Sequence, residues 1–196
     1  MRKYVVYDTE TGGLSADKHS LLTAYFKIVD QNLRELDGLS LKIKPKDGIY
    51  RVTPIAMKIN KIDLVKHDAE AVLPGEARKL VMAFLSKHSA GGESKLTPVG
   101  HNVVFDEEFV QTQLTPNPEL GLSGKEAWEM HVSYRRICTA SLSESLRLKG
   151  VIPAGVSGSL GGLCKFFGID NSGAHDAQVD VDMTVDLLRA MLRHVA

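Results

Sequence analysis

Two acidic residues near the start of the chain have the type and spacing to bind a metal ion. Asp8 and Glu10 lie at the end of the predicted strand 3–8, two residues apart. Because side chains i and i+2 of a strand point to the same face, both carboxylates can reach one site. The Thr-Gly-Gly segment at 11–13 lets the backbone turn and approach a ligand closely. The alternative for so short a pattern is a strand-end aspartate that caps a turn.

Three more polar residues lie where helices are predicted to begin. Asp106 follows a short strand that ends at Gly100, and it falls in the first turn of a predicted helix. His175 and Asp180 are five residues apart at the start of the last predicted helix. Each has an ordinary explanation, since acidic side chains complement the positive end of the helix dipole. Taken singly, these residues leave helix-start polarity and a functional site both open.

The four carboxylates, if they converge, favour a metal site. Two carboxylates about 4 Å apart repel each other by about 4 kcal/mol at an effective dielectric constant of about 20. Such a cluster persists by taking up protons or by holding cations. Carboxylate oxygens suit Mg²⁺ or Mn²⁺, and two such ions support phosphodiester hydrolysis by stabilising charge and activating water. A histidine, which titrates near neutral pH, would be the general base.

The polar segments, taken together and in their order along the chain, form a more specific pattern than any one of them alone. The segments are Asp8-Thr9-Glu10-Thr11-Gly12, Gly100-His101-Asn102 with Phe105-Asp106, and His175 followed five residues later by Asp180. Together they resemble the three motifs of the DEDDh 3′→5′ exonucleases, which include bacterial polymerase proofreading subunits, RNase T and oligoribonuclease. The resemblance implies an RNase H-like α/β fold, with a five-stranded mixed β-sheet flanked by α-helices, in one exonuclease domain over residues 1–196.

The resemblance also implies a role for each site residue. Asp8, Glu10 and Asp180 would bind the first divalent ion, while Asp8 and Asp106 would hold the second. His175 would be the general base that deprotonates the attacking water. The same resemblance assigns substrate binding to Thr11, Leu14, Asn102 and Phe105, with Leu14 as the apolar residue that wedges against the last base.

Two features depart from the family pattern. Three other acidic residues lie on or near the last predicted helix, namely Asp176, Asp182 and Asp186. The spacing from His175 favours Asp180 over Asp176, although these two acids are four residues apart and could share a helix face. Relatives often carry a His-Gly pair where residues 56–62 of this chain read Ala-Met-Lys-Ile-Asn-Lys-Ile. That second departure bears on the substrate pocket rather than on the chemistry.

The hydrophobic pattern predicts strands first and then alternating helices and strands, which is typical of an α/β domain on a mixed sheet. The predicted strands are 3–8, 20–29, 39–44 and 96–100, with a turn at Asp37-Gly38 and an antiparallel meander of the first three. The predicted helices are 53–67, 75–88, 104–114, 139–149, 160–167 and 175–194. The predicted loops are 89–95, 115–125 and 153–162.

The charge balance, hydrophobicity and cysteine content of the chain argue against several classes of protein. The chain has 196 residues, with 24 basic and 24 acidic residues and a formal net charge of +0. That balance argues against a highly basic protein that coats nucleic acid or binds a membrane surface. No apolar run approaches the roughly 20 residues of a membrane span. Two separated cysteines without a CxxC pattern argue against a disulfide framework and predict a cytoplasmic protein.

Several other residues are predicted to be structural. The glycine-rich stretch 155–162 lacks the Gly-Lys-Ser/Thr ending of a nucleotide-binding loop and is predicted to be flexible. A structural role is predicted for His101, and a packing role is predicted for Trp128. The basic pairs Arg135-Arg136 and Arg147-Lys149 could line a path for backbone phosphates, but a solvated surface explains them equally well.

The resemblance to the DEDDh exonucleases implies an enzyme that removes nucleotides from the 3′ end of single-stranded nucleic acid, with two Mg²⁺ or Mn²⁺ ions as cofactors. DNA is the favoured substrate, because the first two motifs look most like those of proofreading and repair enzymes. RNA trimming is the alternative within the enzyme class, and a catalytically inactive nucleic-acid-binding module is the alternative outside it. A separate polymerase or other replication protein is a candidate partner, and a homodimer stays open.

Overall fold

The chain begins with three strands that form the predicted antiparallel meander. The computed structural model describes residues 2–89 and 94–195. In it, β1 (Tyr4–Thr11), β2 (Leu21–Val29) and β3 (Glu35–Lys42) pair in chain order. Two parallel strands, β4 (Thr97–Gly100) and β5 (Ile137–Cys138), extend the sheet on the other side of β1. The strand order β3-β2-β1-β4-β5 confirms the predicted five-stranded mixed sheet.

Helices flank the sheet. Between β3 and β4 lie α1 (Pro54–Asn60), α2 (Leu64–Glu70) and α3 (Pro74–His88). Between β4 and β5 lie α4 (Val103–Phe109) and α5 (Gly124–Glu129), and after β5 come α6 (Thr139–Leu148), α7 (Leu160–Phe166) and α8 (Ala177–Leu192). Within the two described ranges, no helix is both long and apolar enough to cross a membrane.

Residue alternation along β1 divides the core between the two faces of the sheet. Val5 and Tyr7 belong to a buried cluster that includes residues of α3 and α4, whereas Val6 packs with residues of α8. Because successive side chains of a strand alternate between faces, Thr9 is placed on the α4 side. Asp8 and Glu10 are placed on the α8 side for the same reason. The central strand therefore ends with polar groups on both faces.

The predicted helix 53–67 is two helices. Lys61 has a left-handed backbone with φ of 56°, and it ends α1. Asp63 then caps α2, because its carboxylate accepts hydrogen bonds from the amides of Val65 and Lys66. The apolar periodicity runs across both helices, so it hides the break between them.

The third strand lies at Glu35–Lys42 rather than at 39–44, and Asp37 and Gly38 lie within it. The turn comes earlier, where the Asp30 carboxylate accepts hydrogen bonds from the amides of Asn32 and Arg34. Gly38 serves packing instead, because a Cβ atom there would lie 2.7 Å from the Tyr25 hydroxyl oxygen. The prediction of a turn at Asp37-Gly38 was therefore wrong.

The region between β4 and β5 differs most from prediction. The predicted helix 104–114 is α4 followed by a π-helical turn at Val110–Leu114. The predicted loop 115–125 ends two residues early, because α5 begins at Gly124. A capping box between Ser123 and Glu126 starts this helix. The two-residue strand β5 is too short to show alternation. Of the predicted loop 89–95, residues 90–93 lie outside the described residues.

Candidate active site

Three carboxylates converge at the end of β1. Asp8 and Glu10 come from that strand, and Asp180 comes from the first turn of α8. One carboxylate oxygen from each lies within 4.8 Å of the other two. α8 packs on the face of the sheet to which Asp8 and Glu10 point, and its first turn places Asp180 opposite them. The structure thus brings together three of the four predicted metal ligands.

The fourth predicted ligand, Asp106, approaches β1 from α4. It is 3% exposed. Its Oδ1 atom accepts hydrogen bonds from the Thr9 amide at 3.0 Å and from the Thr9 hydroxyl at 2.6 Å. Asp106 lies outside the group of three oxygens, although its charge is close enough to raise the pKa of Asp8. Thr9, which the sequence analysis did not single out, therefore fixes Asp106 against the strand that carries Asp8 and Glu10.

Burial and mutual repulsion hold the acidic groups away from their ordinary titration range. Burial raises the pKa of Asp8 well above its usual value, and the charges of Asp106, Asp180 and Glu10 raise it further. Burial, followed by the charge of Asp180, raises the pKa of Glu10 to about 8. Burial also raises the pKa of Asp106 to about 7, although the hydrogen bonds from Thr9 oppose the shift. The cluster thus resists full ionisation unless positive charge compensates it.

The donor set fits a hard divalent cation. Carboxylate oxygens are the ligands that Mg²⁺ and Mn²⁺ prefer, and a bound cation reverses the repulsion that raises these pKa values. Asp8, Glu10 and Asp180 present three such oxygens to one point. Asp106 keeps its Oδ2 atom free of the bonds with Thr9, which use Oδ1.

In EDTA, the free energy of unfolding is expected to fall as the pH rises from about 5 to about 8. The pKa values of Glu10 (about 8) and Asp106 (about 7) exceed the usual 4.5 and 3.8. Unfolded carboxyls therefore lose their protons before the folded ones do, and stability is lost as the pH rises through the folded pKa values. Urea unfolding at a series of pH values measures this trend. Glu10→Gln should flatten it, and a free energy that rises over the same range would contradict the proposed repulsion.

His175 lies beside the acidic cluster but before the helix rather than within it. α8 begins at Ala177, not at residue 175, because Asp176 caps it by accepting hydrogen bonds from the amides of Gln178 and Val179. His175 has a left-handed backbone with φ of 74°, and its amide donates to both carboxylate oxygens of Asp180 at 3.3 Å. Its side chain is exposed, and among the described residues the ring makes no hydrogen bond.

The competing acids on α8 have other partners. Asp176 caps the helix, although its charge still helps to raise the pKa of Glu10. Asp182 forms an ion pair with Lys27 of β2. Asp186 pairs with Arg189 on the same helix. The structure therefore places Asp180, rather than these residues, with Asp8 and Glu10.

The four predicted substrate-binding residues differ in exposure and in their contacts. Leu14 is 86% exposed in the loop after β1, which is unusual for a large apolar side chain. Thr11 is buried, and its hydroxyl donates to the Gly13 carbonyl oxygen at 2.8 Å. Asn102 is exposed with φ of 61°, and Phe105 is half-buried against Phe109. Leu14 and Asn102 can meet a ligand directly, whereas Thr11 shapes the loop.

Asn60 is a site neighbour that the sequence analysis missed. It is the last residue of α1, and its buried side-chain amide donates to the Thr11 carbonyl oxygen at 3.3 Å. It belongs to the stretch 56–62, where the chain departs from the family pattern. An asparagine in an apolar helix is a weak signal, so the sequence offered little reason to select it.

The residues predicted to be structural have internal partners. The His101 ring lies 2.9 Å from the Thr139 hydroxyl, and Trp128 is fully buried. Arg136 pairs with Glu107 at 3.2 Å. Arg147 donates to the carbonyl oxygens of Pro153 and Val156, and so it holds the loop after α6. Arg136 and Arg147 are thus committed to these contacts.

Comparison with known structures identifies the fold. A zinc-bound complex of E. coli exonuclease I with single-stranded DNA matches with a TM-score of 0.80 at 18% identity, over 100% of this chain and 41% of that one. The fold is that of exonuclease I. E. coli exonuclease I with a dT13 oligonucleotide gives a TM-score of 0.77 at 19% identity, with the same coverage of 100% and 41%. Exonuclease I from Methylocaldum szegediense gives 0.75 at 20% identity, again over 100% and 41%.

These matches confirm the predicted RNase H-like fold, and they confirm the resemblance to the exonucleases at the level of the fold. The chain spans 41% of the length of the exonuclease I chains that it matches. No protein-family model and no curated protein matches the sequence. That residues 1–196 form one exonuclease domain stays a prediction, as do the roles of the individual site residues.

Proposed function

We propose that this protein is a metal-dependent 3′→5′ exonuclease that acts on single-stranded DNA. The observation that carries the proposal is the convergence of Asp8, Glu10 and Asp180 at the end of β1, with one oxygen of each within 4.8 Å of the others. Asp106 adds a fourth carboxylate whose charge reaches this cluster. The fold supports the same activity, because the matching structures are exonuclease I, and two of them hold single-stranded DNA or a dT13 oligonucleotide.

The carboxylates would hold the cofactor, and divalent ions bound there would stabilise the charge that develops on the phosphate and favour ionisation of the attacking water. Asp8, Glu10 and Asp180 present the oxygens for one ion, and Asp8 with Asp106 supports a second. Mg²⁺ or Mn²⁺ is the proposed identity, because the donors are all carboxylate oxygens. Two divalent ions would add a charge of about +4 to a chain of net charge +0.

The proposed chemistry is hydrolysis of the last phosphodiester. His175 accepts a proton from the attacking water, whose oxygen forms a bond with phosphorus. The bond between phosphorus and the 3′-oxygen of the preceding nucleotide breaks, and that oxygen takes up a proton. The terminal nucleotide leaves as a 5′-monophosphate. The exposed His175 ring is available for this role, because the contact with Asp180 uses the backbone amide and leaves the ring free.

The exposed Leu14 side chain supports a single-stranded substrate. A large apolar side chain exposed to water four residues after Glu10 can pack on the face of the last base. Asn102, at the start of α4, and the half-buried Phe105 would contact the same nucleotide. A separate polymerase as a partner, a homodimer and a cytoplasmic location stay predictions.

Labelled oligonucleotides test the proposed function. With Mg²⁺ or Mn²⁺, 5′-labelled single-stranded DNA should shorten stepwise from the 3′ end and release nucleoside 5′-monophosphates, while EDTA should stop the reaction. Duplex DNA, single-stranded RNA and a dinucleotide are compared in parallel, and single-stranded DNA should be degraded fastest. Cleavage that persists in EDTA would contradict the metal mechanism. Faster degradation of RNA would instead favour an exoribonuclease that trims RNA 3′ ends.

A further inference from the structure

A cavity of about 770 Å³ opens beside the loop that joins β1 to β2. Its walls come from residues 16–20 of that loop, residues 45–47 and 51 after β3, Pro74, and residues 112–113 of the π-helical turn. β1 and β3 end, and β2 begins, at one edge of the sheet, because these strands pair antiparallel. The cavity therefore lies at the same end of the strands as the carboxylate cluster, and residues of the loop between β1 and β2 line it.

The lining of this cavity has a net charge of +1, since it includes three basic and two acidic side chains. Arg51 and Asp47 form an ion pair at 2.7 Å and offset each other. Lys18 and Lys46 are exposed, and neither forms an ion pair within the described parts of the chain. Asp17 is the one lining acid besides Asp47. A cavity of this volume is large enough for a small ligand, and lysine ammonium groups bind phosphate as point charges.

The wall of the cavity is also the support of the loop that carries Leu14. The Gln113 side chain accepts a hydrogen bond from the Leu21 amide at 2.9 Å, and it donates to the Ala16 and His19 carbonyl oxygens at 2.5 and 2.7 Å. The His19 ring packs so tightly that a Cβ atom at Gly13 would lie 2.5 Å from it. Single π-helical turns are rare and occur often at functional sites, and here the turn directs Gln113 into the loop.

We propose that this cavity is a second phosphate-binding site, which takes a backbone phosphate of the same strand upstream of the cleaved nucleotide. The inference rests on the proposed function. Bound metal ions would compensate the four carboxylates, but the upstream phosphates of a strand meet a chain with no net positive charge. Lys18, four residues after Leu14 in the same loop, and Lys46 supply positive charge for one of these phosphates. The strand would thus be held at the carboxylate cluster and again at the cavity.

The test is binding without metal, so that cleavage does not enter. The double variant Lys18→Ala/Lys46→Ala is compared with Lys79→Ala/Lys165→Ala, which removes two exposed lysines outside the cavity lining. Fluorescence anisotropy in EDTA follows oligodeoxythymidylates from a dinucleotide upward over a range of salt concentrations. The first variant should lose up to about fivefold in affinity for each lysine on long strands. Its salt dependence should be less steep by about 0.7 for each lysine.

Three further binding measurements define the ligand of the cavity. The dinucleotide, whose single phosphate would lie at the carboxylate cluster, should bind both double variants equally. Asp17→Asn removes a lining carboxylate and should strengthen the binding of long strands, opposite to the loss of the lysines. Inorganic phosphate should not displace the dinucleotide. Phosphate should instead displace long strands, and only while Lys18 and Lys46 are present. If phosphate binds in this lysine-dependent way while long strands bind no more tightly than the dinucleotide, then the cavity holds a free anion and the proposed strand path is wrong.

The results separate this inference from the proposed function. The inference would be overturned if the two double variants lost equal affinity, or if the loss of affinity did not depend on strand length. It would also be overturned if the wild-type protein bound no strand. Lysine-dependent binding of long strands without cleavage in Mg²⁺ would support the second phosphate site and refute the exonuclease. Cleavage that does not depend on Lys18 and Lys46 at any strand length would support the exonuclease and refute the second phosphate site.

Discussion

Replacement of Asp8 by asparagine is expected to abolish cleavage and, in EDTA, to stabilise the fold. Asp8 contributes an oxygen to the cluster with Glu10 and Asp180, and the second ion is proposed to share it. Loss of this ligand should lower kcat by at least about 10³-fold, as for removal of a central electrostatic group. The fold should gain stability, because burial and four neighbouring charges raise the pKa of Asp8 well above its usual value.

Thermal unfolding separates these two effects. In EDTA, the Tm of Asp8→Asn should exceed that of the wild type by about 2–4 °C for each kcal/mol of repulsion removed. Saturating Mg²⁺ should raise the Tm of the wild type, because a ligand that binds only the folded state stabilises it, and this rise should be lost in the variant. Asp186→Asn is the matched control, since Asp186 lies on α8 and pairs with Arg189. A fully active Asp8→Asn protein would refute the assignment.

Much of the acidic site could be predicted because strand periodicity is a local property. Asp8 and Glu10 share a face of β1 whatever packs against it. Asp180 was selected by the resemblance to the exonuclease motifs, in which the histidine precedes the acid by five residues. The same periodicity also places Thr9 on the opposite face, where it binds Asp106. That contact could have been anticipated by asking what occupies the position between the two ligands. It was missed because threonine in a strand has an ordinary packing role.

Other parts of the site depend on contacts that no local pattern encodes. Gln113 reaches the loop between β1 and β2 because a π-helical turn interrupts the predicted helix 104–114. Asn60 meets Thr11 because Lys61 ends α1 in a left-handed conformation. β5 has two residues, and its place at the sheet edge comes from pairing with β4. In each case, residues far apart in sequence decide the geometry.

The second large effect is expected for His175→Ala, which should lower kcat by about 10²- to 10⁴-fold while metal binding is retained. A general base contributes a factor of this size, and an alanine at this position has no group to accept a proton. The contact of His175 with Asp180 uses its backbone amide, so the substitution keeps the hydrogen bonds that hold Asp180 in the cluster. The Mg²⁺-dependent rise in Tm should therefore match that of the wild type.

The pH dependence of kcat distinguishes a base from a structural residue. The wild-type rate should reach a plateau as the pH rises, whereas the His175→Ala rate should have no plateau and should increase only with hydroxide concentration. His194→Ala is the control, because His194 lies after the end of α8 against Phe167. An unchanged pH profile in His175→Ala would assign proton removal to another group. Loss of the Mg²⁺-dependent rise in Tm would instead show that the backbone at this left-handed position maintains Asp180, because φ of 74° is strained for alanine as it is for histidine.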